Sequence, residues 1–404
     1  MTAQVAEKIV LIAPNVGTRM GGEALKAFQY FRWLLDTGHD AVLITHGRNR
    51  RELSGRLPPD RILWIDETPV QTALWRSRVL RPLLSVYFHR RAAWLSRQFD
   101  PGRTILHYIC PISPITLRFP PRGYRVVMGP LNGNIDYPPG FRGRAGRKRR
   151  FQQAVYPVTQ RVYGTVFGDK RSAETLLVSG GSRTRDALRL AGVAEARMVD
   201  VIDAGVPADL AALPPASHTG RNPEFVTLGR FDRYKAYDLT LRAIAASDPD
   251  IRITIFGDGP ERRDYAALAQ ALGISERVSF PGWLPHEDLP KLRAYRGFVF
   301  PTLAEANGMV MQEAMMLGLP VIAVRWGGPM LLADDSSAIF LEPDGEDAVV
   351  AGLAAAMNRL AGDPEHATRV GHAARAHAAA SFGWDAVAAS WAAHYQRGNG
   401  TDGP

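Results

Sequence analysis

The chain is predicted to be an α/β protein with two doubly wound parallel sheets, because strand-like and helix-like segments alternate through both halves. Its 404 residues, 46% of them hydrophobic, are enough to bury two ordinary cores. Residues 205–223 are rich in proline, glycine and small polar residues, which indicates a linker. We therefore expect a first domain over residues 1–204 and a second over residues 224–382.

Alternation in the first half begins with a short apolar run after the first seven residues. β-rich runs predict strands at residues 8–13, 41–45, 62–65, 104–109, 125–128, 176–178 and 198–202. Helices are predicted at residues 23–35, 74–99, 147–166 and 182–191. The second of these helices should be interrupted at Pro82, because proline lacks the N–H that a helix interior requires.

The same alternation restarts directly after the linker. Strands are predicted at residues 224–228, 251–256, 278–280, 297–300, 320–324 and 339–341. From residue 345 onward the pattern is helical only. A last helix is predicted over residues 383–397.

Composition excludes several classes of protein. There is no run of 18 uncharged apolar residues and no signal-peptide pattern, so we expect no membrane span and a cytoplasmic location. The single cysteine, Cys110, excludes an internal disulfide and is typical of a reducing compartment. Clusters of cysteine and histidine that would bind a metal ion are not expected either.

The net charge of +9 favours an anionic partner. That partner is either an anionic small molecule or an anionic membrane surface, to which clustered cations are attracted. Residues 75–94 and 142–151 mix arginines with aromatic side chains, as interfacial helices do, and the alternative is a solvated helix face. Nucleic acid is not expected, because no zinc finger, basic zipper or aromatic RNA-binding signature is present.

Two glutamates, Glu305 and Glu313, stand eight residues apart between two predicted strands. Gly308 lies between them, where an apolar helix over residues 309–317 should begin. Strand, glycine turn, helix and strand form a nucleotide-site arrangement, in which free N–H groups face the carboxyl edge of a parallel sheet. Glu305 would meet ligand hydroxyls and Glu313 would reach a ribose, since a carboxylate accepts strong hydrogen bonds from hydroxyl groups.

This segment, with Ala-Met and Gly-x-Pro-Val-Ile after the second glutamate, resembles the signature of retaining glycosyltransferases of family 4, which have the GT-B fold. Residues 229–238 are similar to the Gly-Arg-x4-Lys-Gly-x-Asp segment of that family, and residues 257–260 match its Gly-Asp-Gly-Pro turn. Residues 20–23 and 37–44 resemble its glycine-rich acceptor-side loop and second strand. The resemblance implies two Rossmann-like domains facing across a cleft, with the last helix packed on the first domain.

The resemblance implies that Arg230 and Lys235 stabilise the charge of a diphosphate leaving group. Glu305 would bind the transferred sugar and Glu313 the ribose. The alternatives are exposed helix-end charges for the cations, a turn or N-cap role for Glu305, and a helix-surface acid for Glu313.

The remaining donor contacts are expected from glycine turns and backbone amides. They are Gly21, Gly22, Gly229, Asn307, Gly308, Met309 and Val310, with Trp283 and Leu284 near the base. Two glycines in a turn without a ligand are the alternative for Gly21 and Gly22. Relatives commonly have Gly-Phe-Gly where residues 306–308 of this chain are Ala-Asn-Gly, so we expect a sugar pocket of different shape.

In the first domain, the resemblance implies an acceptor side. His107 occupies the first position of a strand end that often has His-x-His, and Ile109 replaces the second histidine. A core histidine and a catalytic one are equally good interpretations of His107. Glu23, Asn132 and Asn134 are the other candidates for the acceptor side.

Taken together, these features predict a retaining, metal-independent glycosyltransferase that moves a sugar from a nucleoside diphosphate sugar to an acceptor hydroxyl, in polysaccharide, glycolipid or other glycoconjugate biosynthesis. The acceptor would be a sugar, a lipid-linked or a small molecule, and no cofactor is expected. The only Asp-x-Asp, Asp248 to Asp250, is interpreted as a structural turn. The alternatives are a sugar-nucleotide epimerase, a nicotinamide enzyme, or a catalytically silent scaffold at a membrane surface.

Overall fold

The computed structural model of the protein describes residues 7–18, 22–77, 80–81, 83–133 and 136–396, with the backbone alone at residues 147–150. The chain divides into two compact units. The first comprises the described residues within 1–134, 153–203 and 388–404, and the second those within 135–152 and 204–387.

The first unit contains a seven-stranded sheet in which all neighbouring strands are parallel. Its strands are β1 (Lys8–Ile12), β2 (Ala41–His46), β3 (Ile62–Ile65), β4 (Thr104–Tyr108), β5 (Arg125–Leu131), β6 (Thr175–Val178) and β7 (Met198–Asp200). Their order in the sheet is β3-β2-β1-β4-β5-β6-β7. β2 and β4 are buried along their whole length, as expected when helices cover both faces of a parallel sheet.

Helices follow most strands of this sheet. They are α1 (Gly22–Asp36), α2 (Arg50–Leu53), α3 (Pro69–Arg76), α4 (Leu83–Ser96), α5 (Arg147–Val166) and α6 (Gly181–Leu190). α5 begins in the part of the chain assigned to the second unit and continues in the first. The predicted helix over residues 74–99 is two helices, and its predicted interruption at Pro82 lies outside the described residues.

The second unit contains a six-stranded parallel sheet. Its strands are β8 (Glu224–Leu228), β9 (Arg252–Phe256), β10 (Val278–Gly282), β11 (Gly297–Phe300), β12 (Val321–Val324) and β13 (Ile339–Leu341). Their order is β10-β9-β8-β11-β12-β13. The predicted fold class, two doubly wound parallel sheets, is confirmed.

The remaining helices lie between and after these strands. They are α7 (Ala208–Ala211), α8 (Tyr237–Ala246), α9 (Arg262–Ala271), α10 (Met309–Met316), α11 (Pro329–Leu332), α12 (Glu346–Gly362), α13 (Pro364–Ser381) and α14 (Trp384–Ala392). Within the described ranges, no helix has both the length and the apolar character needed to cross a bilayer.

Segment 136–152 belongs to the second unit, although the sequence placed it in a first domain ending at residue 204. Arg144 explains the difference, because its guanidinium forms ion pairs with Asp238 and Glu346. Tyr137 and Phe141 are also buried in the core that the second sheet shares with α8 and α12. Apolar burial and ion pairing thus attach this segment to the second unit.

The last helix is shorter than the predicted range of residues 383–397. α14 ends at Ala392, and a 3-10 turn over Ala393–Tyr395 follows it. Residues from Ala388 onward belong to the first unit, where the indole Nε1 of Trp391 donates a hydrogen bond to the carbonyl of Ile202 at 3.0 Å.

Candidate functional site

The second sheet reverses its strand order between β8 and β11. The chain runs outward through β9 and β10 on one side of β8, then through β12 and β13 on the far side of β11. Phe298 of β11 pairs with Val226 of β8, so the carboxyl ends of the two strands are neighbours. Ligands of doubly wound sheets bind where the strand order reverses, at the carboxyl ends. The loops that leave these two strands carry the predicted donor-site residues.

Lys235 and Glu305 come together at this edge. Lys235 follows β8, Glu305 follows β11, and Lys235 Nζ forms an ion pair with Glu305 Oε2. The side chains are 11% and 19% exposed, so the pair is largely shielded from solvent. The rings of Tyr234 and Phe300 each lie 5.5 Å from Lys235 Nζ, measured to the ring centroid. A cation over aromatic faces is held electrostatically as well as by its carboxylate partner.

Arg230 is much more exposed than Lys235. Its side chain is 69% exposed, and its Nε lies 3.3 Å from Asp232 Oδ2. Gly229 precedes it with φ of +150°, and a Cβ there would lie 2.8 Å from the hydroxyl of Tyr237. Glycine therefore allows β8 to end close to Tyr237 and Lys235.

The N-terminus of α10 faces the same edge of the sheet. Gly308 caps this helix with φ of +113°, and a Cβ there would lie 3.1 Å from the ring of Phe300. Met309 and Val310 occupy the first turn, whose N–H groups have no acceptor within the helix. The side chain of Asn307 is buried, and its Nδ2 has no hydrogen-bond acceptor among the described residues. This turn thus offers several donors and the positive end of a helix.

Glu313 lies further along α10 and is buried. Its Oε1 is 3.6 Å from Nε2 of His286, a half-exposed residue at the start of the 3-10 helix His286–Ala294. The hydrogen bond and the charge of Glu313 raise the pKa of His286 above its usual value. His286 was not predicted from the sequence, because neither motif spacing nor periodicity connects it to α10.

Trp283 and Leu284 lie shortly before His286, after β10. Trp283 is 74% exposed and Leu284 is half-buried. An indole this large on the surface presents an apolar face that a planar ring can cover.

The other glycine and aspartate motifs of the second unit serve packing. A Cβ at Gly257 would lie 2.0 Å from the carbonyl oxygen of Gly229. Asp250 pairs with Arg221 at 2.6 Å, and Asp248 accepts a hydrogen bond from the side chain of Asn358. The described residues contain no group of three or more histidine, cysteine, aspartate or glutamate side chains arranged to hold a metal ion.

In the first unit, His107 is fully buried in β4. Its Nε2 bonds to the carbonyl of Gly129 at 2.7 Å and its Nδ1 to the hydroxyl of Tyr395, which in turn accepts from Tyr30 at 2.8 Å. Burial lowers the pKa of His107 to about 4. Both ring nitrogens are used and the ring is neutral, which favours the core interpretation over the catalytic one.

The other candidates of the first unit lie near strand ends. Gly22 and Glu23 begin α1 and are exposed, whereas Gly21 lies outside the described residues. Asn132 follows β5 and is buried, with its backbone N–H bonded to the carbonyl of Ile112 at 3.0 Å. Asn134 also lies outside the described residues.

Comparison with known proteins supports the interpretation of the second unit. Residues 214–377 match the family described as "Glycosyl transferases group 1". D-inositol 3-phosphate glycosyltransferases of Mycobacterium tuberculosis and Mycobacterium bovis are each 33% identical over 242 residues, which cover 56% of this chain and 49% of theirs. The chain thus spans about half the length of these mycobacterial relatives.

Solved structures share the fold over the whole chain. HepE of Anabaena, in complex with UDP, superposes with a TM-score of 0.66 at 15% identity, covering 96% of this chain and 99% of that one. A glycosyltransferase from Rickettsia africae gives a TM-score of 0.67 at 14% identity, covering 97% and 98%. At such low identity these likenesses establish the fold. The family match over residues 214–377 and the shared fold together confirm the resemblance to the group 1 glycosyl transferases.

Proposed function

We propose that the protein transfers a sugar from a nucleoside diphosphate sugar to an acceptor hydroxyl. The observation that carries this proposal is the arrangement at the β8–β11 edge. There the cation of Lys235, the carboxylates of Glu305 and Glu313 and the N-terminus of α10 converge on the strand-order reversal. A diphosphate, a hexose and a ribose need this combination of positive charge and hydroxyl acceptors.

In this proposal the diphosphate is bound by Lys235, Arg230 and the first N–H groups of α10. The ion pair with Glu305 holds the ammonium group of Lys235 at this edge of the sheet. Arg230 is exposed and adds a planar fork of donors at the same strand end. Positive groups placed where charge develops on the leaving group stabilise the transition state more than the ground state.

Glu305 and Glu313 would bind the two sugars of the donor. Glu305 is partly exposed and lies beside Lys235, where it can accept hydrogen bonds from the transferred sugar. Glu313 is buried one turn into α10, where it can accept from the ribose hydroxyls. The exposed indole of Trp283 would cover the base.

We propose that the transfer proceeds with retention at the anomeric carbon. The bond from that carbon to the β-phosphate oxygen breaks, and a bond to the acceptor oxygen forms on the same face. The acceptor proton passes to an oxygen of the departing diphosphate, so atoms and charge balance. Lys235, Arg230 and the amides of α10 would supply the positive charge without a metal ion.

An epimerase acting on free nucleotide sugars and a silent scaffold are the rivals to this function. An epimerase would convert the donor without an acceptor. A scaffold would bind no donor. The Anabaena protein of the same fold is described in complex with UDP, and the mycobacterial relatives are named glycosyltransferases, which favours donor binding here.

We also propose that the protein binds an anionic membrane surface on its cytoplasmic side. Trp75 and Trp94 are 53% and 57% exposed, and the guanidinium groups of Arg81 and Arg91 lie 4.6 Å and 4.8 Å from their ring centroids. Exposed aromatic rings beside cations are typical of proteins that sit at lipid headgroups. A lipid-linked acceptor in polysaccharide or glycolipid synthesis would be reached from this position.

The experiment that tests the function begins with a donor screen by differential scanning fluorimetry, using UDP-, GDP- and TDP-sugars. A ligand at one hundred times its Kd should stabilise the fold by about 2.7 kcal/mol. With the donor known, proton NMR of the product made with an acceptor would show the anomeric configuration. No stabilisation by any of these donors contradicts the proposal, and conversion of the donor without acceptor supports the epimerase instead.

A further inference from the structure

A cavity is lined only by residues of the first unit and by none of the proposed donor-site residues. It has a volume of ≈ 600 Å³, which suits a small organic ligand. Its floor is formed by the carboxyl ends of β1 to β4, and this sheet reverses its strand order between β1 and β4. The cavity therefore occupies the position in which doubly wound sheets bind ligands.

The lining of this cavity has an apolar part and a polar part. Leu84 and Phe88 of α4, with Pro14 and Pro111 of the strand-end loops, form apolar walls. The polar and aromatic members are contributed by the end of β2, by the loops after β1, β2 and β3, by α3, by the segment before α4 and by α4 itself. They are Asn15, His46, Arg48, Glu67, Gln71, Thr72, Trp75, Arg81 and Ser85.

The lining contains two arginines and one carboxylate, Glu67, whose charge acts on Arg48. Within the described part of the chain, neither Arg48 nor Arg81 has a carboxylate oxygen within 4.0 Å, whereas nearby Arg50 pairs with Asp66 at 2.9 Å. Arg48 donates to the side-chain oxygen of Asn15. Arg81 donates to the carbonyl of Trp75 at 3.3 Å and stacks on its ring. Because no ion pair among the described residues uses them, both guanidinium groups keep N–H donors for a ligand.

The rest of the lining adds one negative charge and no further positive charge. Glu67 is the single carboxylate of the cavity, so the two arginines leave it positive by one. His46 is buried, and burial together with the charge of Arg48 lowers its pKa to about 4, so the ring is neutral. Gln71 is already held by the N-terminal capping box of α3, in which it bonds with Thr68.

We infer that this cavity binds the acceptor, and that the acceptor carries a phosphate or carboxylate group which Arg48 and Arg81 bind. This inference rests on the proposed glycosyl transfer and adds the chemical class of the acceptor. Guanidinium groups with free donors bind such anions with two parallel hydrogen bonds. Trp75 presents a ring face to a sugar, and Glu67 accepts hydrogen bonds from its hydroxyls. The anionic group belongs either to a soluble sugar acid or phosphate or to a lipid-linked headgroup.

Binding of four soluble probes tests the inference without any need for turnover. Glucose, glucose 6-phosphate, glucuronate and inorganic phosphate would be titrated into the wild-type protein by calorimetry or saturation-transfer NMR. We expect at least one of the anionic sugars to bind about tenfold or more tightly than glucose. Arg48→Gln and Arg81→Gln should each weaken the binding of that anionic sugar about tenfold and leave the binding of glucose unchanged. Arg51→Gln, an exposed arginine outside the lining, is the matched control.

Sedimentation with lipid vesicles distinguishes the two sources of the anionic group. If the soluble probes do not bind, sedimentation with phosphatidylglycerol vesicles should depend on Arg48 and Arg81 and not on Arg51, which would assign the anion to a lipid headgroup. Equal binding of glucose and its anionic derivatives overturns the inference, as does an absence of binding by every probe and vesicle. UDP-sugar binding, measured in the same variants, should be unchanged. If the wild-type protein did not bind a UDP-sugar, that result would instead contradict the proposed function.

Discussion

Lys235 Nζ is ion-paired with Oε2 of Glu305, although the two residues are 70 positions apart in the chain. The pair connects the loop after β8 to the loop after β11. The backbone strengthens this connection, because the N–H of Leu303 donates to the carbonyl of Tyr234 at 2.9 Å. A cation and a carboxylate are thus placed at one edge of the sheet before any donor arrives, which is the condition for preorganised charge stabilisation.

Replacing either cation of the donor site should slow transfer severely. We expect Arg230→Ala and Lys235→Ala each to lower kcat by about 10²- to 10³-fold, because each removes a positive charge that we propose to face the leaving group. Steady-state kinetics with the donor identified by the screen would measure this. Arg263→Ala, which changes an exposed arginine of α9, should retain full activity. Near-native turnover in both site variants would contradict the assignment of Arg230 and Lys235 to the diphosphate.

The ion pair also predicts a non-additive effect on stability. Glu305→Gln leaves the shielded ammonium of Lys235 without its carboxylate, so we expect a loss of about 1–3 kcal/mol. The double variant Lys235→Met/Glu305→Gln removes both charges and should recover part of that loss. Urea denaturation of the two single variants and the double variant completes the cycle. A double variant less stable than Glu305→Gln would show that the pair is not the source of the loss.

The contact between His286 and Glu313 predicts a pH-dependent contribution to stability. The pKa of His286 is raised in the folded state, so its protonated form is favoured by folding. The contribution should be fully present below the usual histidine pKa near 6.5 and lost as the pH rises through the higher folded pKa. Because His286 is half-exposed, the effect should stay below about 1 kcal/mol.

Melting curves of wild type and His286→Gln at pH 5.5 and pH 9 measure this contribution. We expect the wild type to exceed the variant in Tm at pH 5.5 and the two to converge at pH 9. A difference that grows toward pH 9 would mean that the neutral imidazole is the stabilising form.

Transfer should persist in excess EDTA. Lys235, Arg230 and the first amides of α10 are proposed to carry the charge that a divalent cation would otherwise neutralise. Activity assayed after chelation and desalting, with and without added magnesium or manganese, tests this. Complete loss on chelation with recovery on metal addition would show that a metal ion takes part.

The protein should bind anionic vesicles at low salt. Arg147, Lys148, Arg149 and Arg150 stand together at the start of α5, and replacing all four with serine should release the protein. Flotation with phosphatidylglycerol vesicles measures binding, which should weaken as salt shortens the screening length to about 10 Å at 0.1 M. Phosphatidylcholine vesicles are the control. If the wild-type protein does not float with anionic vesicles at low salt, the membrane proposal is wrong and a soluble acceptor is favoured.

The strands were the part of the fold that the sequence predicted best. Each predicted strand is present among the described residues, with its ends within three residues of the prediction. A buried parallel strand must be apolar along its length, so short β-rich runs between turn residues are a local signal. The convergence of Lys235 and Glu305 was predicted only through family resemblance, since the adjacency of β8 and β11 is not a local property.

Residues whose environment depends on distant partners were beyond prediction. Arg144 is attached to the second unit by Asp238 and Glu346, which are 94 and 202 positions away. The core role of His107 depends on Tyr395, 288 positions later. Neither periodicity nor spacing reports a pairing of this kind. The sequence therefore left His107 with two equal interpretations and placed residues 135–152 in the other domain.

The bond between His107 and Tyr395 has a consequence for biosynthesis. The first unit contains residues from both ends of the chain. Its buried hydrogen-bond network of Tyr30, His107 and Tyr395 is therefore incomplete until residue 395 has been synthesised. Roughly 190 residues separate that point from Asp203, and at 5–20 residues per second a ribosome needs about 10 to 40 s to add them. During this interval Nδ1 of His107 in the nascent first unit lacks its tyrosine partner, and the second unit can complete its core first.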